Sequence, residues 1–351
     1  KIIISKYVTE SDLTKEFENR TAKYTGSPFA ISICNGTCAL FCALKALGIG
    51  EGDEVIVPNI TFISTATAVL LAGAKVRLAD VDPITCCIDI SKIGQYINKK
   101  TKAIMPVHLY GISCEMDEIQ KIANKHDLKI VEDAAQGVGV FYKNTHVGNF
   151  GDFGILSYYG NKTITTGEGG IVICNTKEKS EQIYKLKNHG RLKKGTFIHE
   201  SLGWNFSFTE MQAAVGISQM KKVDAIINKK KYIYERYKNE VNNTSLEMRN
   251  IPFTTTSPVH WLSNIHCDNS NNLEKYLKDH EIPSRRIFYP LNLQPCLIDE
   301  KKVITNNNDE LKGSIKAFNT ILSLPSSVLM NDEQISYIIK TLNNYSGFNF
   351  T

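Results

Sequence analysis

The sequence has no apolar run that approaches the roughly 20 residues needed to cross a membrane, and no signal peptide opens it. Because no segment directs the chain into or across a membrane, we expect a cytoplasmic protein with no membrane partner. The first residue is Lys1 rather than methionine, which leaves room for a natural start farther upstream.

Cysteine pairs of the kind that bind metals or exchange disulfides are also missing, since no two cysteines have Cys-x-x-Cys spacing. The nine cysteines are an odd number in a chain of 351 residues, which does not fit a secreted disulfide framework. Cys34, Cys38 and Cys42 recur at every fourth position and so share one face of a helix. We interpret them as small buried side chains rather than as a redox or metal site, and we predict no metal site.

Excess charge of one sign is small, with 41 basic and 36 acidic side chains and a formal net charge of +5. The sequence shows no arginine-rich face and no basic strip with interleaved aromatic residues, so nucleic acid is not expected as a partner. Hydrophobic residues make up 42% and charged residues 22% of the sequence, as in ordinary soluble proteins. A chain of this length is expected to fold as two domains.

Strand-like and helix-like segments alternate along the first two thirds of the chain, with short joints that contain glycine, proline or aspartate. Strands are predicted at 29–34, 54–58, 75–78, 103–107, 129–132, 153–159 and 170–174, and helices at 11–24, 35–47, 61–71, 90–98, 116–125, 178–187 and 209–237. Ser11 or Asp12 is the predicted cap of the first helix. This alternation is typical of an α/β protein with a largely parallel sheet covered by helices.

The composition changes near Asn239, after which asparagine is more frequent and prolines break the chain into short elements. We therefore predict a large domain at 1–238 and a smaller α+β domain at 239–351.

One lysine, Lys162, is placed unusually, within the stretch 151–170 and between a strand-like run and a loop rich in glycine and threonine. A lone lysine is ordinarily exposed to solvent. Asp133, 29 residues upstream, ends another apolar strand, which is where α/β sheets place ligands. Pyridoxal phosphate chemistry requires a lysine amine that forms a Schiff base and an acid that keeps the pyridine nitrogen protonated. We interpret Lys162 and Asp133 as candidate catalytic residues, with a helix cap as the alternative for Asp133.

Other residues that this cofactor needs follow in order along the chain. Gly36 and Thr37 open a helix after a strand, where backbone N–H groups can bind phosphate, although a plain helix N-terminus is the alternative. Phe62 is placed to stack on the pyridine ring, with a core position as the alternative. Gln136 is placed to donate to the ring hydroxyl, and Ser157 to reach the phosphate. Their order and spacing together favour the cofactor, and neither a P-loop nor a dinucleotide fingerprint is present.

These residues lie in motifs that resemble the DegT/DnrJ/EryC1/StrS family of pyridoxal-phosphate sugar aminotransferases. The resemblance covers nearly the whole chain, through NGTCALFCALKALGIGEGDEVIVPNITF, AIMPVHLYG, KIVEDAAQGVGVFY, GDFG, GNKTITTGEGG, LKNHG, WNFSFTEMQAAVG and FYPLNLQP. It implies the aspartate-aminotransferase-like α/β fold, fold type I of the pyridoxal phosphate enzymes, with a mostly parallel central sheet and a smaller C-terminal α+β domain.

The resemblance also implies a role for each candidate residue. Lys162 would carry pyridoxal 5′-phosphate, Asp133 would pair with the ring nitrogen, Gln136 would bind the ring hydroxyl side and Phe62 would stack on the ring. The phosphate would be held by Gly36, Thr37 and Ser157, and by Asn205 of the partner subunit. The active unit would therefore be a homodimer. His108, Arg285 and Tyr289 are implied, more weakly, to contact the substrate.

The sequence around Lys162 and the segment SRRIFYP resemble those of the family members that act on nucleotide-linked 4-keto-6-deoxyhexoses. The implied reaction moves an amino group from L-glutamate to C4 of the sugar by way of pyridoxamine phosphate, and gives a 4-amino-4,6-dideoxy sugar nucleotide. Amination of a 3-keto sugar and a non-catalytic sensor protein are the alternatives. Lys162 argues against a sugar dehydratase, in which histidine typically replaces the lysine. The nucleotide and the stereochemistry of the sugar stay open.

The chain departs from the family pattern at three positions. Ser207 stands where many members have arginine, and Asn292 replaces a histidine. Members usually have proline directly after an arginine of the second domain, and this chain has Arg286 at that position. The opening segment ISKYVTESDLTKEFE matches a point some way into the family pattern, which leaves open whether an N-terminal piece is missing.

Overall fold

The computed structural model describes residues 2, 8–192, 197–305 and 310–347, and its largest element is an eight-stranded sheet. In spatial order the strands are β1 (Phe29–Ile33), β9 (Gly170–Cys174), β8 (Phe153–Ser157), β5 (Lys129–Asp133), β4 (Thr101–Ile104), β2 (Glu54–Pro58), β3 (Lys75–Ala79) and β14 (Val303–Ile304). Neighbouring strands from β8 to β14 run parallel, whereas β9 is antiparallel to both of its neighbours. The predicted α/β fold with a mostly parallel central sheet is confirmed.

Both faces of this sheet are covered, which is why β2 and β8 are buried along their whole length. Alternate residues of each strand therefore point into two different cores. Val55 and Ile155 belong to one buried cluster, while Ile56 and Leu156 belong to the other. Such a sheet needs apolar residues on both faces, and this is why uninterrupted apolar runs predicted its strands.

Helices connect and cover the strands. They are α1 (Asp12–Thr25), α2 (Gly36–Ala46), α3 (Ser64–Ala72), α4 (Ile90–Tyr96), α5 (Met116–His126), α6 (Lys177–Lys187), α7 (Glu210–Met220), α8 (Val223–Glu240), α9 (Ser270–Asp279), α10 (Pro295–Ile298), α11 (Lys312–Thr320) and α12 (Asp332–Asn343). The segment 209–237, predicted as one helix, instead forms α7 and α8. The helix breaks at Lys222, whose φ of −111° and ψ of −1° lie far from ideal helical values.

The C-terminal part of the chain builds an antiparallel sheet of its own. Its order is β10 (Leu246–Met248), β12 (Ser263–Cys267), β15 (Ile321–Leu324) and β13 (Arg285–Arg286), and a smaller sheet combines β11 (Thr255–Ser257) with β6 (Phe141–Tyr142) and β7 (Thr145–His146). This part also joins the first sheet, because β14 pairs with β3 and Trp261 shares a buried cluster with Tyr110. The domain boundary at 238 and 239 stays a prediction.

None of the helices in the described residues is long and apolar enough to cross a membrane. Nor does that part of the chain hold a group of three His, Cys, Asp or Glu side chains arranged to bind a metal ion. Cys42 is buried and Cys34 and Cys38 are half-buried, and all three pack on the core cluster that contains Val55.

The first turn of α1 is capped by a carboxylate from far along the chain. Ser11 occupies the N-cap position, as predicted, but its side chain forms no capping hydrogen bond. Instead, Glu210 Oε1 accepts from the N–H groups of Ser11 at 2.8 Å and Thr14 at 2.9 Å, and from the Thr14 hydroxyl at 2.8 Å. Its Oε2 accepts from the N–H of Leu13 at 3.0 Å. The open donors of the helix end are thus satisfied by a tertiary contact.

Replacing Glu210 with alanine is expected to lower the free energy of unfolding by about 2–4 kcal/mol, since three backbone N–H groups lose their acceptor. Burial raises the pKa of Glu210, but hydrogen bonds from Thr14, Leu13 and Ser11 outweigh it and hold the pKa below 4.5, its ordinary value. The capping contribution is therefore complete above pH 4.5 and is lost as the pH falls through the lower folded-state pKa. Urea unfolding at about pH 7 and about pH 3 measures both effects.

A matched control for this change is Glu333→Gln, because Glu333 is exposed in the first turn of α12. That variant should alter stability by less than about 0.5 kcal/mol. A destabilisation of Glu210→Ala that is equally large at both pH values would contradict the assignment of the cap to the ionised carboxylate.

Candidate active site

Lys162 lies in the turn after β8, at the carboxyl edge of the central sheet. Its N–H donates to the carbonyl oxygen of Tyr159 at 2.9 Å, its side chain is half-buried, and its Nζ lies 4.6 Å from the ring centroid of Trp261. Burial and the positive charge of Arg285 lower the pKa of Lys162 to about 8, although the charge of Asp133 acts in the opposite direction. An amine with this pKa is neutral often enough to accept a proton.

Asp133 is the last residue of β5, which is parallel to β8, so it reaches the same edge of the sheet as Lys162. Its Oδ2 accepts from the Thr65 hydroxyl at 2.8 Å, and its Oδ1 accepts from the Ala135 N–H at 3.1 Å. Burial raises the pKa of this carboxyl, and these hydrogen bonds oppose the rise. Two neutral donors therefore hold a buried acid beside a lysine.

Gln136 lies just beyond Asp133, with its side chain fixed by the backbone of a neighbouring loop. The Tyr110 N–H donates to Gln136 Oε1 at 2.6 Å, in a buried position. Because an N–H group can only donate, the side-chain atom of Gln136 that it contacts must be the amide oxygen. The amide nitrogen of Gln136 therefore points away from Tyr110 and can donate to another group. Tyr110 adopts a left-handed backbone with φ of 55°, which turns its N–H toward Gln136.

Gly36, Thr37 and Ser157 are brought together at the start of α2. Asn35 caps this helix by accepting from the Cys38 N–H at 2.9 Å, and Thr37 shares a hydrogen bond of 2.7 Å with Ser64, the first residue of α3. Two helix N-termini therefore meet there, and each favours an anion. A Cβ added to Gly36 would lie 3.3 Å from the Cβ of Ser157, so a larger residue would push Ser157 away by a few tenths of an ångström.

The remaining predicted cofactor contacts are exposed. Phe62 is 54% exposed, and its ring lies 5.8 Å from that of Phe288, so it occupies the surface rather than the core. Asn205 is exposed as well, on a segment held to α6 by backbone hydrogen bonds of Trp204 and Phe206. Both side chains are accessible to a bound molecule or to another chain.

His108, predicted to contact the substrate, is fully buried and both of its ring nitrogens are occupied. Nδ1 accepts from the Cys114 N–H at 3.2 Å, so Nε2 carries the proton and donates to Glu132 at 2.9 Å. Glu132 also accepts from the N–H groups of Gly148 and Gly151. We therefore do not propose His108 for substrate contact, because its ring is committed to holding loops together.

The other two residues predicted for substrate contact are accessible. Arg285 is exposed, with its guanidinium carbon 5.8 Å from the centroid of the Trp261 ring. Tyr289 is 42% exposed and packs edge-on against Phe318 at 5.1 Å. The two side chains leave charged and hydroxyl groups available near the Lys162 turn and at the surface.

The three departures from the family pattern have different surroundings. Asn292, which stands in place of the usual histidine, pairs with Asn59. Asn59 Nδ2 donates to Asn292 Oδ1 at 2.8 Å, and Asn59 Oδ1 accepts from the Asn292 N–H at 2.9 Å. Arg286 donates to the carbonyl oxygen of Phe318 at 2.7 Å and lies over the ring of that residue. Ser207 is half-buried. Contacts within the chain therefore account for Asn292 and Arg286.

Sequence reasoning missed Thr65, Ser64 and Trp261. Thr65 and Ser64 lie in a segment for which the sequence predicted only a helix. A hydroxyl that faces Asp133 or Thr37 produces no recognisable pattern in the sequence. Trp261 lies 99 residues beyond Lys162 in the sequence, in the predicted second domain. Its rarity was a usable signal, since the chain has only two tryptophans.

The donor set fits pyridoxal phosphate. A protonated pyridine nitrogen would give Asp133 a cationic partner, which stabilises a buried carboxylate better than two neutral donors do. The amide nitrogen of Gln136 is oriented to donate, and two helix N-termini with Thr37 and Ser157 suit a phosphate. Lys162 completes the set with an amine of lowered pKa.

Comparison with known proteins agrees with this chemistry. The family model described as the DegT/DnrJ/EryC1/StrS aminotransferase family matches residues 1–343. GDP-perosamine synthase of Escherichia coli O157:H7 is 35% identical over 342 residues, covering 96% of this chain and 91% of that protein. UDP-2-acetamido-2-deoxy-3-oxo-D-glucuronate aminotransferase of Pseudomonas aeruginosa is 31% identical over 342 residues, covering 97% and 92%.

Solved structures show the same fold. The crystal structure of S. venezuelae DesV in complex with a ketimine intermediate has a TM-score of 0.91 and 28% identity to this chain, with 97% of this chain and 91% of DesV covered. The chain therefore belongs to the DegT/DnrJ/EryC1/StrS aminotransferase family, as a pyridoxal-phosphate-dependent nucleotide-sugar aminotransferase.

Proposed function

We propose that this aminotransferase moves an amino group from L-glutamate to C4 of a nucleotide-linked 4-keto-6-deoxyhexose and so makes a 4-amino-4,6-dideoxy sugar nucleotide. The observation that carries amino transfer is the half-buried Lys162 amine, with a pKa of about 8, beside Asp133. Position C4 is supported by the 35% identity to a protein named GDP-perosamine synthase and by the residues around Lys162.

The residues that would hold the cofactor divide between its two ends. Asp133 and Gln136 would bind the pyridine ring at its nitrogen and hydroxyl, and exposed Phe62 would cover one face of the ring. The N-terminus of α2, with Gly36, Thr37 and Ser157, would bind the phosphate. We add Ser64 to this end, because its hydroxyl shares a hydrogen bond with Thr37.

Lys162 would move the proton in both half-reactions. The cofactor supplies an electron sink for the pair left on carbon when a proton is removed. The Lys162 amine must be neutral to take that proton, and burial near Arg285 favours the neutral form. Asp133 would keep the sink effective by holding the pyridine nitrogen protonated. The ammonium form of Lys162 would then return the proton at C4′, the cofactor carbon bonded to the amino nitrogen.

We further propose that the active unit is a homodimer in which Asn205 of the partner subunit reaches the phosphate. The support is that Asn205 is exposed while its neighbours Trp204 and Phe206 are fixed to α6 by backbone hydrogen bonds. A rigid segment with an exposed amide is suited to contact across a subunit interface.

Amination at C3 is the alternative. It is supported by the 31% identity to the P. aeruginosa protein named as an aminotransferase of a 3-oxo sugar nucleotide. A non-catalytic sensor does not fit the complete set of Lys162, Asp133 and Gln136.

Incubation with isotope-labelled L-glutamate and a panel of nucleotide-linked keto sugars tests the proposal. We expect label in the 4-keto-6-deoxyhexose products, with the amine on C4 by NMR, and at least about tenfold lower turnover with 3-keto sugars, since a misplaced reacting atom loses the alignment of a near-attack geometry. GDP, dTDP and UDP forms of one sugar identify the nucleotide.

Lys162→Met should lower product formation with every sugar in the panel by at least about 10³-fold. Preferred labelling of a 3-keto sugar at C3 would contradict the proposed position, whereas no labelled sugar from the wild-type protein would contradict the substrate class.

A further inference from the structure

Trp261 makes two separate contacts with the turn that holds Lys162. Its indole Nε1–H donates to the carbonyl oxygen of Asn161, the residue before Lys162, at 2.7 Å. The face of its ring lies 4.6 Å from Lys162 Nζ. The side chain is 3% exposed, so it shields this side of the amine from water.

The backbone of Trp261 is itself fixed by buried donors. Lys230 Nζ donates to the Trp261 carbonyl oxygen at 3.0 Å and to the Ser326 carbonyl oxygen at 3.1 Å. The Ser326 hydroxyl donates to the same Trp261 oxygen at 3.2 Å. On the other side, the Tyr110 ring stacks against the Trp261 ring at 6.1 Å between centroids. An indole held this way has little freedom to move from the Lys162 turn.

We propose that Trp261 is a positioning residue for Lys162: its N–H fixes the turn, and its ring covers the amine and governs how water reaches it. This inference rests on the proposed role of Lys162 in proton transfer. Trp261 acts only through Lys162 and makes no contact with substrate in this proposal.

Two opposing effects of the ring act on the amine. A ring face attracts the ammonium form, whereas exclusion of water favours the neutral form. We expect exclusion to prevail, since burial is the largest of the causes that set the pKa of Lys162 and lowers it to about 8. Arg285, whose charge lies over the same ring, acts in the same direction as burial. Removal of the indole should therefore raise the pKa toward 10.5, the ordinary lysine value.

The charged and titratable groups around Trp261 must be separated in any test. Lys162 and Arg285 face the ring, Lys230 binds the carbonyl, and Tyr110 stacks on the ring. Burial lowers the pKa of Lys230 to about 8 as well, so it titrates in the same range as Lys162. Burial raises the pKa of Tyr110 far above this range. His260, the preceding residue, has a pKa of about 3 because of burial and nearby cations.

The first test uses tryptophan fluorescence of the cofactor-free protein. Trp204→Phe leaves Trp261 as the only tryptophan of the chain. We expect its emission to change with pH with a midpoint near 8, as the Lys162 ammonium loses its proton beside the ring. Adding Lys162→Met should remove most of this transition. A transition that persists at full size would belong to Lys230 and would overturn the proposal, as would no transition.

The second test measures reductive methylation of Lys162 against pH in the cofactor-free protein, with the labelled peptide quantified by mass spectrometry. Trp261→Leu should raise the midpoint of Lys162 reactivity by at least about one pH unit, since water gains access to the amine. Trp261→Phe retains most of the cover and should shift the midpoint by less than half as much, but it leaves the Asn161 carbonyl without its donor. Trp204→Phe is the matched control and should shift nothing.

An unchanged midpoint in folded Trp261→Leu would overturn the proposal, and the fluorescence test decides it if that variant does not fold. Neither measurement uses a sugar substrate. Failure of the keto-sugar panel with normal results here would therefore contradict only the proposed function, and the reverse pattern would contradict only the role of Trp261.

Discussion

Replacing Lys162 with methionine is expected to lower amino transfer by at least about 10³-fold, because the residue proposed to carry the proton is lost. The variant should also lose the visible absorbance that a Schiff base between pyridoxal phosphate and lysine gives to the protein. Methionine fills a similar volume of half-buried space, so the fold should be retained, which circular dichroism and thermal unfolding check. Turnover is measured with L-glutamate and the preferred keto sugar.

Lys230 provides an internal comparison, because its pKa is also lowered to about 8 by burial. Its amine, however, already donates to the Trp261 and Ser326 carbonyl oxygens. Borohydride reduction fixes the cofactor to whichever lysine carries it, and we expect the label on the Lys162 peptide and not on the Lys230 peptide. Label on Lys230, or near wild-type turnover of Lys162→Met, would show that Lys162 has been misassigned.

Asp133→Asn is expected to keep bound cofactor but to lower turnover by about 10- to 10³-fold. An opposite charge near a titrating group shifts its pKa by about one to three units, so removing the carboxylate lowers the protonated fraction of the ring nitrogen by a corresponding factor. Because asparagine retains an oxygen that can accept from the Thr65 hydroxyl, the local structure should survive. Single-turnover kinetics of each half-reaction measure the loss.

Asp117→Asn is the matched control, since Asp117 is an exposed carboxylate that pairs with Lys143 on the surface. It should leave turnover within about twofold of wild type, because exposed pairs contribute little. Thr65→Val removes the hydroxyl donor while keeping the Asp133 charge. It should therefore lower turnover less than Asp133→Asn does. Full activity of Asp133→Asn would exclude a role for the carboxylate in keeping the ring nitrogen protonated.

The sequence predicted the central sheet and the positions of Asp133 and Lys162 for one physical reason. Strands buried on both faces are uninterrupted apolar runs, and the polar residue that ends each run must lie at the carboxyl edge of the sheet. Asp133 ends β5 and Lys162 follows β8, so strand boundaries alone bring both to that edge.

Contacts between distant segments left no such pattern. The indole of Trp261 binds a backbone carbonyl, and any residue at position 161 offers the same acceptor. Glu210 reads as an ordinary first-turn acid of α7, yet its carboxylate satisfies α1. His108 lies in a recognisable motif, but its burial against Glu132 depends on loops that the sequence does not order in space.

The carboxylate of Glu210 has a consequence for how the chain folds during synthesis. Between 196 and 199 residues separate Glu210 from the backbone groups it caps, so a ribosome adding about 5–20 residues per second completes α1 roughly 10–40 seconds before the cap exists. A helix of 14 residues is marginal alone in water. The nascent α1 should therefore fray at its first turn until α7 emerges and docks, so a helix made early in synthesis should be among the last to become complete.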